Sequence, residues 1–180
     1  MAGLFDELSA KDYLSLANAA SGFIAIVSAL LAYSFAKYFY APFFFLLAAL
    51  FFDYIDGFVA RKTGKGNALG IQLDSLADVV SFGVFPAVLV SVFNFNSIFA
   101  VSFSVLFLAA GILRLARFNL QKEKGVYYGL PIPAAAFLVV SAFYLQSYLA
   151  PSADWLLYAA VLACAWLMLA GFRVKKPGFA

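Results

Sequence analysis

The stretch DYIDGFVARKTGKGNALGIQLDSLAD, residues 53–78, places four carboxylates in an otherwise apolar background. The acids form two pairs, Asp53 with Asp56 and Asp74 with Asp78, on either side of a basic, glycine-rich turn. Residues three or four apart share one face of an α-helix, so each pair lies on one face. If the two helices form a hairpin, the acidic faces can meet and bind hard divalent cations through oxygen. We therefore predict the active site here.

Small and basic residues accompany the acids. Gly57 and Ala60 share the face of the first acidic pair, and Gly70 shares the face of the second. Such small residues let a ligand group approach the helix backbone, or they simply let two helices pack closely. Arg61 can offer a forked guanidinium contact to a phosphate, although a basic residue is also expected at any cytoplasmic turn.

The composition indicates an all-α integral membrane protein. Of 180 residues, 66% are hydrophobic and 12% are charged, and the mean hydropathy is +0.96. An ordinary soluble domain is about half apolar and a quarter charged. The chain contains no His, and its one cysteine, Cys164, lies in an apolar run. A disulfide framework and a Cys- or His-based metal site are therefore excluded, and acid–base chemistry falls to carboxylates, Lys, Tyr or a metal ion.

The hydrophobic pattern predicts six transmembrane helices in one membrane domain, residues 1–180. Each hydrophobic segment is near the ~20 residues needed to cross a bilayer. We predict a short amphipathic helix at the membrane surface over residues 2–12, a six-helix core over 13–173 and a basic tail over 174–180. The six predicted spans are 13–35, 41–61, 69–92, 97–118, 130–149 and 153–173. Pro86 falls inside the third span, where we expect a kink.

The distribution of basic residues predicts the orientation in the membrane. Six spans place both termini on one side, and the helix ends on that side carry nearly all of the basic residues. These are Lys11, Arg61, Lys62, Lys65, Arg114, Arg117, Lys122, Lys124, Arg173, Lys175 and Lys176. The opposite ends carry Lys37 alone. The positive-inside rule then predicts cytoplasmic termini and an acidic hairpin that opens to the cytoplasm of a cell-membrane protein.

The negative charge of four carboxylates within the membrane must be neutralised. Two divalent cations would supply it, and Mg²⁺ or Mn²⁺ suits an all-oxygen site. Paired cations favour phosphoryl chemistry, because they can bind the attacking and leaving oxygens of a displacement. A Na⁺ or H⁺ relay in a transporter is the alternative for acids on membrane helices. A purely structural membrane protein has no need of four buried acids.

The acidic stretch resembles the signature of the CDP-alcohol phosphotransferase family, D-x2-D-G-x2-A-R-x8-G-x3-D-x3-D. Every spacing is kept at the eight fixed positions: Asp53, Asp56, Gly57, Ala60, Arg61, Gly70, Asp74 and Asp78. The resemblance covers the whole chain, since the family core has six transmembrane helices with this signature across the second and third. It implies that an alcohol attacks a cytidine-diphosphate-activated alcohol and releases CMP.

The resemblance also implies roles for individual residues. The four Asp would hold two divalent metal ions, and Asp78 would take the proton from the acceptor hydroxyl. Arg61 and the small residues of the signature would contact the CDP portion of the donor. A homodimer is implied as well, with the lipid bilayer as its environment and with no nucleic-acid partner.

Three further stretches resemble the phosphatidylserine synthase branch of that family: residues 69–87, 114–119 and 128–136. They imply CDP-diacylglycerol, or its ether-lipid analogue, as donor and L-serine as acceptor, with glycerol 3-phosphate or inositol phosphate as the alternative. Arg114 and Arg117 can bind a carboxylate or phosphate, or else anchor the helix at the interface. Asn119 is a weaker candidate for the same site. Asn18, in the first span, either faces the nucleotide or hydrogen-bonds a neighbouring helix.

Overall fold

The computed structural model describes residues 9–63, 68–120 and 126–175, which form mainly helices. The α-helices are α1 (Ala10–Ser34), α2 (Ala41–Thr63), α3 (Ala68–Asp78), α4 (Phe85–Phe93), α5 (Ile98–Leu120), α6 (Ile132–Leu149) and α7 (Asp154–Leu169). A 3-10 turn (Ala36–Tyr38) follows α1, and a π-helical segment (Val79–Val84) joins α3 to α4. Two three-residue strands, β1 (Val126–Tyr128) and β2 (Arg173–Lys175), complete the described elements.

Five helical segments in the described residues are long and apolar enough to cross a membrane. They are Lys11–Ser34, Ala36–Val59, Leu69–Phe93, Ile98–Leu120 and Ile132–Leu149. Large apolar side chains such as Phe23, Phe44, Phe99 and Trp166 are more than half exposed. This combination of long apolar helices and outward-facing apolar side chains is typical of a multi-pass membrane protein. The sixth predicted span corresponds to α7, an apolar helix of 16 residues, and its crossing of the membrane stays a prediction.

Several predicted boundaries are wrong. The last three residues of the predicted surface helix, Ala10, Lys11 and Asp12, belong to the first turn of α1, and residues 1–8 lie outside the described part of the chain. The last span was predicted to reach residue 173, but α7 ends at Leu169. Residues 173–175 instead form β2, so the predicted tail begins with a strand. Apart from the two three-residue strands, the described elements are helical, which agrees with the predicted all-α class.

The chain forms two compact units, Met1–Ser81 and Phe82–Ala180. In the first unit, α1 packs against both α2 and α3. Ser9 caps α1: its backbone N–H and its hydroxyl both donate to Asp12 Oδ2, at 2.7 and 2.9 Å. The first of these bonds satisfies a backbone N–H that a helix start leaves unpaired, and both bonds fix the first turn of α1.

The third hydrophobic segment is not a continuous α-helix. Its π-helical turns end at Val84, two residues before Pro86. Proline lacks an N–H and its ring crowds the carbonyl four residues earlier, here that of Phe82. The wider turns accommodate that defect, so the irregularity expected at Pro86 takes the form of a π-helical insertion.

In the second unit, α5, α6 and α7 pack together, and β1 pairs antiparallel with β2. Gly129 connects β1 to α6 with a φ of 69°, a left-handed conformation that side chains rarely adopt. A Cβ there would lie 2.6 Å from the Met168 carbonyl oxygen. The N–H of Leu130 donates to the Leu167 carbonyl at 3.0 Å, so this glycine lets the chain pass closely over the end of α7.

Candidate active site

Three of the four predicted carboxylates converge. Asp53 on α2 and Asp74 and Asp78 on α3 each offer one oxygen, and these oxygens all lie within 4.8 Å of one another. Asp53 and Asp74 are partly exposed, whereas Asp78 is buried. The two acidic helix faces therefore meet, as the residue spacing predicts. We refer to these three residues as the acidic cluster.

The fourth carboxylate, Asp56, is bound by α1 instead. Its side chain is 2% exposed and its Oδ1 lies 3.5 Å from the Lys11 ammonium. The Ser15 hydroxyl donates a hydrogen bond to Oδ2. Asp56 also interacts electrostatically with Asp53 and Asp74, so it borders the acidic cluster without joining it.

Asn18 of α1 contacts the second acidic pair. Its amide nitrogen donates to Asp78 Oδ1 at 3.2 Å, and the Ser81 hydroxyl donates to the Asn18 carbonyl at 2.9 Å. Gly22 makes this contact possible, because a Cβ at that position would lie 2.5 Å from Ser81 Cα. Of the two roles predicted for Asn18, the bond to a neighbouring helix is observed, and contact with a nucleotide stays a prediction.

Sequence reasoning named Asn18 of α1 as a site candidate, but it did not predict that Lys11 and Ser15 of the same helix contact Asp56. Lys11, Ser15, Asn18 and Gly22 are spaced four, three and four residues apart, so they lie along one face of the helix. Polar residues at helical spacing within an apolar span were the available signal. That pattern predicts a polar stripe, but it does not say which carboxylate each residue contacts.

The small residues of the signature flank the acids. Gly57 is partly exposed and Gly70 is buried, one turn before Asp74. Ala60 and Arg61 lie in the last turns of α2, where the described structure covers the backbone and not their side chains. The predicted contact of these four residues with the CDP portion stays a prediction.

The residues predicted to bind the acceptor lie on α5, in the second unit. Arg114 is buried, whereas Arg117 and Asn119 are exposed. Burial of an arginine within an apolar helix is costly unless its charge is compensated, which favours a specific role over that of an interface anchor. The proposed contact of these three side chains with a substrate stays a prediction.

The donor chemistry of the acidic cluster fits a divalent cation. Its three carboxylates provide oxygen ligands alone, and they lie close enough together to bind one ion. Ionised carboxylates at this separation repel one another unless positive charge lies between them. A hard cation such as Mg²⁺ or Mn²⁺ matches this donor set.

Several known proteins are similar to this chain in amino-acid sequence. The CDP-alcohol phosphatidyltransferase family matches residues 11–168. The CDP-diacylglycerol–serine O-phosphatidyltransferase of Methanocaldococcus jannaschii is 42% identical over 133 residues, which cover 74% of this chain and 59% of that protein. The Saccharomyces cerevisiae protein of the same name is 40% identical over 149 residues, covering 76% of this chain and 54% of its own.

A third relative bears a different name. The archaetidylserine synthase of Methanothermobacter thermautotrophicus is 40% identical over 146 residues, covering 78% of this chain and 60% of its own. The chain thus spans between 54% and 60% of the length of these three relatives. The family match runs from Lys11 in α1 to Met168 in α7 and includes every residue of the acidic cluster. The chain belongs to the CDP-alcohol phosphatidyltransferase family.

Proposed function

We propose that this protein transfers the phosphatidyl group of a CDP-diacylglycerol-type lipid to the hydroxyl of L-serine, which yields a phosphatidylserine-type lipid and CMP. The observation that carries the proposal is the convergence of Asp53, Asp74 and Asp78 inside the segment that matches the family. The names of the relatives support serine as acceptor. Because one relative is an archaetidylserine synthase, the donor is either an ester lipid or its ether analogue.

In this proposal, the four aspartates bind metal cations, and one of them removes the proton of the acceptor hydroxyl. We assign two divalent cations, Mg²⁺ or Mn²⁺, to Asp53, Asp56, Asp74 and Asp78. When bound, these ions supply positive charge that offsets the charge of the diphosphate. Gly57, Ala60, Arg61 and Gly70 border the CDP portion, with Asn18 nearby. The small residues leave room for the nucleotide, and the guanidinium pairs with a phosphate oxygen.

The reaction is a displacement at the phosphorus atom that bears the lipid. The serine hydroxyl oxygen forms a bond to that phosphorus, and the bond between the phosphorus and the CMP oxygen breaks. Asp78 accepts the hydroxyl proton, and CMP leaves as an anion with the electron pair of the broken bond. The Asn18 amide, which donates to Asp78 Oδ1 at 3.2 Å, orients this carboxylate. Positioning contributes more than basicity, because a carboxylate is a weak base for an aliphatic alcohol.

Further assignments complete the proposal. Arg114, Arg117 and Asn119 bind the serine carboxylate or a substrate phosphate. The protein is a homodimer of six-span subunits in the cell membrane, with both termini and the acidic cluster on the cytoplasmic side. The excess of basic residues at one set of helix ends supports that orientation.

A panel of acceptors tests the activity. Purified protein in lipid nanodiscs receives one CDP-lipid, Mn²⁺ and radiolabelled serine, glycerol 3-phosphate or inositol phosphate in parallel reactions. We expect a labelled lipid and an equal amount of CMP with serine only. Incorporation of another acceptor would refute the assignment of serine and leave the reaction class intact. CMP release that does not depend on a divalent cation would refute the proposed chemistry.

A further inference from the structure

The contact between Lys11 and Asp56 brings an internal cation to a predicted metal ligand. Lys11 Nζ lies 3.5 Å from Asp56 Oδ1, and the two side chains are 13% and 2% exposed. Among the described residues, this Oδ1 accepts no hydrogen bond, whereas Oδ2 accepts one from Ser15. The two oxygens of Asp56 thus have different partners. Oδ2 accepts a hydrogen bond from the Ser15 hydroxyl, and Oδ1 faces the Lys11 ammonium.

The length of this contact indicates that it can be exchanged. A charge-assisted hydrogen bond between nitrogen and oxygen is usually about 2.7–2.9 Å long. At 3.5 Å, the ammonium compensates the charge of a buried carboxylate without forming such a bond. A buried carboxylate that lacks any compensation is costly, so some cation must face Asp56 in every state of the protein.

Lys11 is also placed so that it can leave. It lies in the first turn of α1, and its side chain is partly accessible to water. Ser15, one turn further along α1, would keep its bond to Oδ2 after the ammonium had moved. Asp56 can therefore exchange the cation at Oδ1 while its other oxygen stays fixed.

We propose that Lys11 is a resident counter-ion of Asp56, which a divalent metal ion must displace before Asp56 can serve as its ligand. This inference rests on the proposed function, because it assumes that the acidic residues bind metal. The displaced ammonium makes metal binding weaker than the carboxylates alone would allow. Lys11 thus sets the metal affinity of the site and prevents an unneutralised Asp56 in the metal-free protein.

Mn²⁺ binding to the full chain in nanodiscs, measured by isothermal titration calorimetry, tests this exchange. We expect Lys11→Met to bind Mn²⁺ about tenfold more tightly than the wild type, a difference equal to ~1.4 kcal/mol. Without the metal, the variant should melt at a lower temperature, and Mn²⁺ should raise its Tm more than that of the wild type. Lys11→Gln, which keeps a polar group next to Asp56, should show the same tighter binding even if Lys11→Met does not fold.

Lys37→Met is the matched control. Lys37 contacts the Tyr38 ring at 4.8 Å in the 3-10 turn after α1, so its loss removes one positive charge away from the site. The affinity of this control should equal that of the wild type. Unchanged or weaker Mn²⁺ binding by both Lys11 variants would overturn the counter-ion role. A separate outcome concerns the metal site itself. If the wild-type protein does not bind Mn²⁺, or if Asp74→Asn does not weaken that binding, the proposed metal site is wrong.

Discussion

The two halves of α1 carry different kinds of residue on the same helix surface. Near its start, Lys11, Ser15 and Asn18 contact carboxylates of α2 and α3 through single polar interactions. Further along, the buried residues of α1 are small: Ala25, Ser28, Ala29 and Ala32. Close packing of small residues is the usual way in which membrane helices associate. The alanine half thus associates with its neighbours through small apolar side chains, whereas the polar half also orients carboxylates of α2 and α3 through hydrogen bonds.

The largest effect should come from Asp78 on α3, which accepts a hydrogen bond from Asn18 in the polar half of α1. Asp78→Asn removes the proposed base and one oxygen ligand but keeps the size of the side chain. We expect the rate of CMP release to fall by a factor of about 10³ or more, since general base catalysis alone contributes about 10²–10⁴. The Tm should change little, because the alanine half is intact.

Asp154→Asn provides a matched acid-to-amide control. Asp154 lies at the start of α7, where its Oδ1 accepts a hydrogen bond from Gln146 at 3.1 Å. Its CMP release should match that of the wild type. An Asp78→Asn protein that retained a tenth of wild-type activity would show that Asp78 is not the base.

A smaller effect is expected at Gly22, where the polar half of α1 ends. A Cβ there would lie 2.5 Å from Ser81 Cα, so Gly22→Ala must force the two backbones apart. We expect a loss of about 2–3 kcal/mol in the free energy of unfolding, within the range for overpacked cores. Activity should fall about tenfold, because the same movement breaks the bonds of Asn18 to Ser81 and Asp78.

Ala29→Gly is the matching change in the alanine half. It should lower the free energy of unfolding by about 1 kcal/mol, the usual cost of glycine within a helix. Its activity per folded molecule should equal that of the wild type. Equal losses of activity in both variants, measured after correction for the folded fraction, would remove the functional distinction between the two halves.

Residue spacing placed each acidic pair on one helix face, and with the predicted hairpin three of the four acids come together. The sequence did not predict the contacts of α1, because these depend on tertiary packing: Asn18 and Asp78 are 60 residues apart, and Ser15 and Asp56 are 41 apart. Hydropathy gave five long apolar segments correctly. The hydropathy pattern placed the end of the last span beyond α7, because Gly171 and Phe172 are compatible with an apolar span. The residues that follow pair with β1 as strand β2 instead of continuing the helix.

The smallest predicted effect compares two serines on α1. Ser15 donates to the buried Asp56 carboxylate, whereas Ser28 donates to the Ala25 carbonyl of its own helix at 2.9 Å. Ser15→Ala leaves a buried charged group without its donor, so we expect a loss of about 1.5 kcal/mol in stability and an approximately threefold loss of activity. Ser28→Ala removes a local bond and adds a better helix former, so its stability should stay within about 0.5 kcal/mol of wild type. Thermal unfolding and CMP release, measured on both variants, separate these outcomes. Identical behaviour would mean that the hydroxyl of Ser15 does not orient Asp56, and that the polar half of α1 acts through Lys11 and Asn18 alone.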